Sequence, residues 1–417
     1  MYTFILYIYS FGAWVFSFFN KKVKKMIAGQ RQTYGRLRQA IRPDDRVVWF
    51  HCASLGEFEQ GRPIMERLRT HHPEYTILLT FFSPSGYEVR KDYDGADVVC
   101  YLPCDTPRRV RRFLQLAHPE VALFIKYEFW QNYLVRMHRL GTRIYSVSSI
   151  FRPQQHFFQW WGNSKPLRQF DHLFVQNEAS RQLLHQVGID CVTVTGDTRF
   201  DRVIDIRQAA SDLPVVRQFL DACPDNSPVF IAGSSWEPDE AIYIPYFGQH
   251  HDWTLIIAPH VIAESHLQSI ESLLDKHGYS HVRYTLLEKD ATTAQMPSTP
   301  AALIVDCFGK LSSIYRYATV ALVGGGFGVG IHNVPEAAVY GIPVLFGPNN
   351  RKFREAQALL KNGGAFQFTD SDTFAAIMQQ FTANPASLQQ AGQQAGHYIT
   401  SNAGAADACY NAIFESD

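Results

Sequence analysis

The chain has 417 residues, and its 39 basic and 39 acidic side chains give a formal net charge of zero at pH 7. This balance excludes the global basic excess of a nucleic-acid-binding protein, so no nucleic-acid partner is expected. The seven cysteines show no paired metal-ligand spacing, because Cys100 and Cys104 have no second Cys or His pair. The length is sufficient for about two or three domains with large cores.

The N-terminal segment is the one anomaly in composition. Residues 1–19 are almost entirely apolar or aromatic, and Lys21, Lys22, Lys24 and Lys25 follow at once. An apolar run of this length is at the short end of a bilayer span. Lysines after the run place the rest of the chain on the cytoplasmic side, close to anionic headgroups. We therefore expect residues 1–20 to be a membrane anchor; the alternatives are a buried helix and an interfacial helix.

From residue 47, short β-branched runs alternate with helical patterns, which is typical of parallel sheets with crossover helices. The predicted strands are residues 47–51, 76–81, 98–102, 121–125, 143–147, 172–176 and 192–195 in the first half, and 229–232, 254–258, 302–305, 320–323, 343–346 and 365–368 in the second. The pattern predicts an α/β protein with two Rossmann-like domains, 21–205 and 206–385. Their ligand cleft is expected at the carboxyl ends of the strands. The helical tail, 386–417, is expected to cross back to the first domain.

The first polar motif follows the first predicted strand directly. Ser54 and Gly56 form the turn, and Glu57 lies at the junction of strand and helix. A carboxylate in this place can act as a general base towards an acceptor hydroxyl. The alternative is a glutamate that only stabilises the helix N-terminus. Arg62, on the same helix, is expected to meet a phosphate of a lipid.

Two further motifs end strands of the first half. Lys126 can balance an acidic sugar, and Glu128 can orient a substrate or act as a second carboxylate. As an alternative, both residues pair on the rim or cap the next helix. Arg199 follows a strand in the string Gly-Asp-Thr-Arg-Phe-Asp and contacts either an anionic group or an interdomain carboxylate.

The second half repeats this arrangement with different side chains. Ser234 and Ser235 follow a strand and can offer hydroxyl and N–H donors to a phosphate, or can cap the next helix. Pro259 and His260 end the neighbouring strand at the same edge. No His, Asp or Glu cluster has metal-ligand spacing, so we expect a mechanism without a metal.

The glycine-rich string of residues 323–348 is the most informative part of the chain. Gly325 and Gly326 form a turn after a strand, where backbone N–H groups can approach a phosphate. Asn333 and Glu336 are expected to open a helix that ends at Gly341. Glu336 lies in the first turn, where a carboxylate suits the paired hydroxyls of a ribose. The string therefore predicts a nucleotide site.

Taken in order, these motifs resemble the 3-deoxy-D-manno-oct-2-ulosonic acid (Kdo) transferases of lipopolysaccharide synthesis, glycosyltransferase family 30. The resemblance implies a GT-B fold and transfer of Kdo from CMP-Kdo to the lipid A precursor, lipid IVA, with inversion and without a metal or cofactor. It implies an enzyme at the cytoplasmic face of the cell inner membrane. Glu57 matches the catalytic base of the family and Glu128 a second acidic residue. The positions matching the surroundings of CMP are Ser234, Pro259, His260, Gly325, Gly326, Asn333 and Glu336.

The chain departs from the family pattern beside the nucleotide. Many members have Pro-Arg-His where this chain has Pro259-His260, so an arginine near the phosphate is missing or replaced. Lys310 stands in a Gly-Lys-Leu string whose commoner form is Gly-Glu-Leu. Three alternatives stay open: a membrane-associated transferase that uses a UDP-sugar, a nucleotide-sugar epimerase, and a non-catalytic nucleotide-binding membrane protein.

Overall fold

The computed structural model describes residues 2–289, 301–328 and 330–415. It divides into two compact units: unit 1 is Met1–Arg202 with Asn402–Asp417, and unit 2 is Val203–Ser401. The predicted anchor, the predicted tail and the glycine-rich string include residues 1, 416, 417 and Val329, which lie outside the described residues.

The strands of the described residues are β1 (Arg46–Cys52), β2 (Tyr75–Phe81), β3 (Val98–Tyr101), β4 (Val121–Ile125), β5 (Arg143–Ser149), β6 (His172–Val175), β7 (Val192–Val194), β8 (Val229–Ser235), β9 (Thr254–Pro259), β10 (Ser280–Arg283), β11 (Ala301–Ile304), β12 (Val320–Val323), β13 (Val344–Phe346) and β14 (Ala365–Gln367).

The α-helices are α1 (Tyr2–Phe16), α2 (Lys21–Ala40), α3 (Leu55–His71), α4 (Pro84–Arg90), α5 (Pro107–Ala117), α6 (Gln131–Leu140), α7 (Glu178–Gln186), α8 (Arg199–Ala209), α9 (Pro214–Asp221), α10 (Glu237–Phe247), α11 (Glu264–Lys276), α12 (Tyr284–Lys289), α13 (Leu311–Ile314), α14 (Pro335–Ala338), α15 (Arg354–Asn362), α16 (Ser371–Ala383), α17 (Pro385–Ser401) and α18 (Ala405–Tyr410). Short 3-10 turns cover His156–Phe158, Lys165–Gln169 and Tyr315–Tyr317, and a π-helical turn covers Asn411–Glu415.

Unit 1 contains a seven-stranded sheet in the order β3-β2-β1-β4-β5-β6-β7, with parallel pairing throughout. Val47 and Trp49 belong to one apolar cluster, whereas Val48 and Phe50 belong to another. Because successive side chains of a strand point to opposite faces, both faces of this sheet are covered. The strand order reverses between β1 and β4.

Unit 2 contains a second parallel sheet in the order β10-β11-β9-β8-β12-β13-β14. The strand order reverses between β8 and β12. Each unit is thus Rossmann-like, and the predicted α/β class is confirmed. The thirteen predicted strands correspond to observed ones, whereas β10 was missed; it is a short edge strand with the polar sequence Ser-His-Val-Arg, which lacks a run of apolar residues.

The structure does not confirm the predicted membrane anchor. Helix α1 has 15 residues, so its length is about 22 Å against the ~30 Å of a bilayer core. Among the described residues, no helix combines the length and apolar character needed to cross a membrane. Tyr2 Oη donates to Asp105 Oδ2 at 2.7 Å, and Ser10 Oγ lies 3.0 Å from Cys104 Sγ, so α1 is attached to unit 1.

The helix after the glycine-rich turn is shorter than predicted. His332 and Asn333 lie in the loop, and α14 begins only at Pro335 and has four residues. The residues before Pro335 form a loop because their amides donate to carbonyls of the loop itself. The His332 N–H, for example, donates to Gly324 O at 3.2 Å. Gly341 has a φ of +74°, a conformation that favours glycine and ends this segment before β13.

Candidate functional site

The predicted site residues follow the strands at which each sheet reverses its order. In open parallel sheets, ligands bind outside the carboxyl ends of the strands at this reversal. In unit 1, Glu57 follows β1 and Glu128 follows β4. In unit 2, Ser235 ends β8, and the glycine-rich loop follows β12. The topology therefore places one candidate region in each unit.

Glu57 is held by the turn that precedes α3. Its Oε2 accepts the backbone N–H of Ser54 at 3.0 Å and is also bonded to the Ser54 hydroxyl. This half-buried carboxylate is therefore a capping group as well as a candidate base. Gly56 is exposed, and a Cβ there would meet only Ser54 Oγ at 3.8 Å. Burial, with the charge of Glu57, raises the pKa of the Cys52 thiol, which disfavours a thiolate beside this turn.

Glu128 is oriented by the Trp130 indole and the His51 ring. Its Oε2 accepts the indole N–H of Trp130 at 2.6 Å and lies 3.3 Å from His51 Nε2. The His51 side chain is fully buried, whereas 16% of the Glu128 side chain is exposed. The carboxylate is therefore held by buried partners while part of it faces solvent.

Thr80 sets the orientation of the His51 ring. Trp49 Nε1 donates to Thr80 Oγ1 at 2.8 Å, and the same oxygen lies 2.8 Å from His51 Nδ1. The other acceptor for the Thr80 hydroxyl, the Phe50 carbonyl, is 3.4 Å away. With the hydroxyl proton in the Thr80–His51 bond, Nε2 is the protonated nitrogen and donates to Glu128; with the other tautomer, Nε2 accepts the Trp130 indole N–H, which lies 3.3 Å away.

Lys126 adopts a strained backbone at the end of β4. Its φ is +68°, which is in the left-handed region that a side chain with a Cβ disfavours. The Lys126 N–H donates to Val147 O at 2.9 Å, and its carbonyl accepts the Ser149 hydroxyl at 2.7 Å. The ammonium lies 5.7 Å from the centre of the Tyr127 ring. Both backbone bonds fix the loop that carries Glu128.

The two arginines predicted in unit 1 already have carboxylate partners. Arg62 Nε donates to Glu66 at 2.6 Å on the same helix. Arg199 donates to Asp197 through Nε at 3.0 Å and through a terminal nitrogen at 2.9 Å. Asp197 is in the same unit as Arg199, so this ion pair lies within unit 1; the interdomain ion pair considered for Arg199 stays a prediction. Burial raises the pKa of Asp197, but the neighbouring Arg199 outweighs it and lowers that pKa below its ordinary value.

In unit 2, the two predicted serines differ in environment. Ser235 is fully buried and its hydroxyl donates to Glu240 Oε1 at 2.8 Å, so the hydroxyl is used inside the unit. Glu240 Oε2 lies 2.9 Å from His266 Nε2, which completes this buried pair. Ser234 is half-buried and has a φ of +52°. Of the two side chains, Ser234 is the one near the surface.

Three aromatic rings from separate loops meet at the same edge of unit 2. The Trp236 and His260 rings stack with centroids 4.7 Å apart, and His260 and His332 stack at 4.3 Å. Trp236 Nε1 donates to His332 Nε2 at 3.2 Å. Burial and the nearby His260 lower the pKa of His332, so its ring is neutral at pH 7. Pro259 is buried directly before this cluster, which we call the Trp236 stack (Trp236, His260 and His332).

The glycine-rich loop uses many of its amides internally. The Gly325 N–H donates to Asp239 Oδ2 at 3.0 Å, and the Gly328 and Gly330 amides donate to Gly325 O. Gly325 has a φ of +92°, and a Cβ on Gly326 would lie 2.5 Å from the Gly347 backbone. These glycines therefore serve close packing. Asp239 occupies the Gly325 amide in this structure, so this N–H is not open to a phosphate; the expected phosphate contact at this turn stays a prediction.

Asn333 and Glu336 lie together at the start of α14. Asn333 Nδ2 donates to Glu336 Oε1 at 2.7 Å, and the Asn333 side chain is exposed. This amide–carboxylate pair presents both donor and acceptor atoms at the edge of unit 2. Within residues 2–289, 301–328 and 330–415, no group of three or more His, Cys, Asp or Glu side chains is placed to hold a metal ion.

Sequence reasoning missed three residues that organise these regions. His51 and Trp130 orient Glu128, and Asp239 binds the glycine-rich loop. His51 carried a usable signal, since it is an ionisable residue inside the apolar run of β1. The Trp130 indole N–H has a polar partner in Glu128, although tryptophan in such a position is commonly a core residue. The interaction of Asp239 joins two segments 86 residues apart and has no local signal.

Comparison with known proteins identifies relatives of this chain. A family model described as 3-deoxy-D-manno-octulosonic-acid transferase (kdotransferase) matches residues 28–202. The 3-deoxy-D-manno-octulosonic acid transferase of Aquifex aeolicus is 26% identical over 79% of this chain and 83% of its own length. The protein of the same name from Bordetella pertussis is 27% identical over 86% of this chain and 84% of its own length.

Solved structures share the fold at low sequence identity. The UDP-GlcNAc 2-epimerase of Neisseria meningitidis, bound to UDP-GlcNAc, has a TM-score of 0.61 and 14% identity over 89% of this chain and 100% of its own. MurG of Acinetobacter baumannii has a TM-score of 0.54 and 10% identity over 89% of this chain and 100% of its own. At these identities the likeness shows the fold with two Rossmann-like units and nothing about substrates.

Proposed function

Because the chain belongs to the 3-deoxy-D-manno-octulosonic acid transferase family of glycosyltransferases, we propose that it moves Kdo from CMP-Kdo to a hydroxyl of the lipid A precursor, lipid IVA. The observation that carries the proposal is the position of Glu57 and Glu128, which follow the two strands at the order reversal of unit 1. The proposed reaction inverts the anomeric centre and uses neither a metal nor a cofactor.

Glu57 is the proposed general base. Its carboxylate takes the proton of the acceptor hydroxyl as the oxygen forms a bond to the anomeric carbon of Kdo. The bond from that carbon to the CMP phosphate breaks, and CMP leaves with the electron pair. The Ser54 N–H holds Glu57 Oε2, which fixes the carboxylate and leaves Oε1 to receive the proton.

Glu128, Lys126 and Arg199 form the proposed surroundings of the transferred sugar in unit 1. Positive charge develops on the Kdo ring during the transfer, and the carboxylate of Glu128 stabilises it. The Kdo carboxylate requires a cation, and the Lys126 ammonium has no carboxylate partner among the described residues. Arg199, already bound to Asp197, adds a second fixed cation. Ser54, Gly56 and Arg62 are proposed acceptor contacts.

Unit 2 is the proposed donor site. The Trp236 stack offers an aromatic face to the cytosine base and places the exposed His260 at the edge of β9. The Asn333–Glu336 pair suits the ribose hydroxyls. His260 with Pro259 and Ser234 is proposed to approach the phosphate, with Gly325 and Gly326 shaping the loop behind it. Ser235 supports this region through its buried bond to Glu240.

The acceptor side also fits a membrane surface, and we propose the cytoplasmic face of the cell inner membrane as the location. Residues 1–43 contain eight Lys and Arg and no Asp or Glu. Phe4, Phe11 and Phe19 are exposed by 68%, 66% and 84%. Aromatic side chains beside a basic helix favour binding at an anionic lipid surface. This association keeps a lipid acceptor near the enzyme and raises its effective concentration.

Mass spectrometry of the product tests the proposed function. Purified full-length protein is incubated with tetra-acylated lipid A precursor and CMP-Kdo, and in parallel with UDP-N-acetylglucosamine in place of CMP-Kdo. The proposal predicts a product heavier by one or more Kdo residues with CMP-Kdo alone. Absence of that product, with CMP-Kdo shown to be intact, or transfer from the UDP-sugar, contradicts it.

A further inference from the structure

A groove between α5 and α6 of unit 1 is strongly basic. It has a volume of about 400 Å³ and is lined by Arg108 and Arg111 from α5 and by Arg136 and Arg139 from α6. Each pair has a spacing of three residues, which places both side chains on the same side of their helix. The two helices contain no Asp or Glu. We call these four residues the arginine groove.

The cations of the arginine groove are not neutralised within the protein. Among the described residues, none of the four side chains has a carboxylate partner, whereas arginines elsewhere in unit 1 such as Arg62 and Arg199 do. Nε of Arg136 is buried and lacks a hydrogen-bond partner. A buried donor without an acceptor is unfavourable. An anionic ligand in the groove reduces the repulsion between the guanidinium groups.

The chemistry of the groove favours a phosphate ester. Guanidinium groups match the oxygens of a phosphate with pairs of parallel hydrogen bonds, and four of them suit a doubly charged group. Val110 and Val135 line the same groove. Apolar side chains between the cations indicate that the phosphate is attached to an organic molecule that also contacts the floor.

The surroundings of the groove indicate that this molecule is a lipid. Asn132 lines the groove, and its side chain lies 3.4 Å from Thr3 Oγ1 at the start of α1. Helix α1 has no buried residues, and most of its large apolar side chains are exposed. The arginine groove and the exposed apolar side chains of α1 therefore adjoin each other at this end of unit 1.

The groove also begins beside the acceptor-side carboxylate. Helix α6 starts at Gln131, directly after Trp130, whose indole holds Glu128. A phosphorylated glycolipid with its phosphate in the groove thus extends its sugar towards the loop of Glu128. We propose that the arginine groove binds a phosphate of the glycolipid acceptor; this inference rests on the proposed function.

Acceptor binding and kinetics test this proposal. The double variant Arg108→Gln/Arg136→Gln removes one cation from each helix, and Lys276→Gln/Lys361→Gln removes two exposed cations from unit 2 as a charge-matched control. Binding of detergent-solubilised acceptor is measured without donor, with the phosphorylated and the enzymatically dephosphorylated acceptor. Steady-state kinetics with CMP-Kdo follow, and circular dichroism confirms that each variant is folded.

We expect the groove variant to weaken binding of the phosphorylated acceptor about tenfold or more and to raise its KM similarly. The KM for CMP-Kdo, the affinity for the dephosphorylated acceptor and all values of the control variant are expected to stay unchanged. Because the binding arm needs no turnover, a protein that binds the phosphorylated acceptor through the groove without transferring Kdo contradicts the proposed function and leaves the groove assignment intact.

Vesicle flotation distinguishes the two sources of a lipid phosphate. Vesicles of phosphatidylglycerol, and of phosphatidylcholine as a neutral reference, are used without acceptor. Loss of binding to phosphatidylglycerol by the groove variant, with unchanged affinity for the solubilised acceptor, assigns the groove to bulk phospholipid and overturns the proposal. Equal behaviour of wild type and groove variant in both binding arms also overturns it.

Discussion

At the scale of single residues, the carboxylate of Glu128 depends on a buried chain of hydrogen bonds. Trp49, Thr80 and His51 lie beneath it, and the last bond joins His51 Nε2 to Glu128 Oε2 at 3.3 Å. His51 touches no solvent, so it acts through Glu128 as a positioning residue. Its effect on turnover can therefore be separated from donor binding, which we propose for unit 2.

Replacement of His51 tests this role. His51→Leu removes the donor and is expected to lower kcat roughly 10- to 100-fold, the loss of a hydrogen bond to a charged group, with an unchanged KM for CMP-Kdo. His51→Gln retains an N–H and is expected to recover most of the activity. In a Glu128→Gln background, His51→Leu is expected to have little further effect. A His51→Leu loss of the same size in both backgrounds, or a raised KM for CMP-Kdo, contradicts the positioning role.

Two variants of Lys126 distinguish the effect of its backbone strain on stability from the effect of its ammonium on activity. Lys126→Gly relieves the left-handed backbone and is expected to stabilise the protein by about 1 kcal/mol, seen as a higher Tm, while activity falls because the ammonium is lost. Lys126→Ala removes the same ammonium and keeps the strain, so its Tm is expected to match the wild type while its activity also falls. Full activity of both variants would show that the ammonium has no role in transfer.

We expect the buried carboxyl of Asp105 to make the stability of the protein depend on pH. Burial raises its pKa to about 6, although Tyr2, Asn132 and Tyr133 donate hydrogen bonds to it. Between about pH 4 and that value, the folded state holds a proton that the unfolded state has released, so this group lowers stability as pH rises through the window.

The variant Asp105→Asn isolates this contribution. It keeps a side-chain acceptor for α6 and cannot ionise, so its Tm relative to wild type is expected to rise between pH 4 and pH 7. The corresponding free-energy change is about 2 kcal/mol. Thermal unfolding of both proteins across this range measures it, and a constant difference in Tm would show that Asp105 does not titrate in the window.

At the scale of elements, strand positions are predictable from sequence and long-range polar contacts are not. Runs such as Val121–Ile125, buried at every position, identify a strand in a two-sided sheet. Glu57 and Glu128 were found because they directly follow such strands. Helix α14 was overestimated because its loop is held by hydrogen bonds such as His332 N–H to Gly324 O, which the local sequence does not encode.

The loops after β8, β9 and β12 combine in the Trp236 stack, and this convergence is testable. Trp236→Leu removes the aromatic face and the donor to His332. We expect it to raise the KM for CMP-Kdo about tenfold, within the range of base–aromatic stacking, and to leave the KM for the acceptor unchanged. Trp236→Phe keeps an aromatic ring, so its KM for CMP-Kdo is expected to lie between those of the wild type and Trp236→Leu. A rise confined to the KM for the acceptor would contradict this proposal and assign the Trp236 stack to acceptor binding.

At the scale of the whole molecule, two Rossmann-like units carry different chemistry. Unit 1 has the paired carboxylates, the exposed aromatic helix and the arginine groove, whereas unit 2 has the aromatic stack and the Asn333–Glu336 pair. The alternation of strands and helices predicted the two Rossmann-like domains. The return of Asn402–Asp417 to unit 1 depends on bonds such as that from the Gly404 N–H to Asp201 at 2.7 Å, across 203 residues of chain.

The rate of Kdo transfer by a Glu57 variant is the direct test of the proposed general base. Glu57→Gln keeps the size of the side chain and loses the base, whereas Glu178→Gln removes an exposed carboxylate from the first turn of α7 as a matched control. With lipid A precursor and CMP-Kdo, we expect a roughly 10²–10⁴-fold loss of kcat for Glu57→Gln, an unchanged KM for CMP-Kdo, and near wild-type turnover for Glu178→Gln. Wild-type turnover by Glu57→Gln would contradict the assignment of the base.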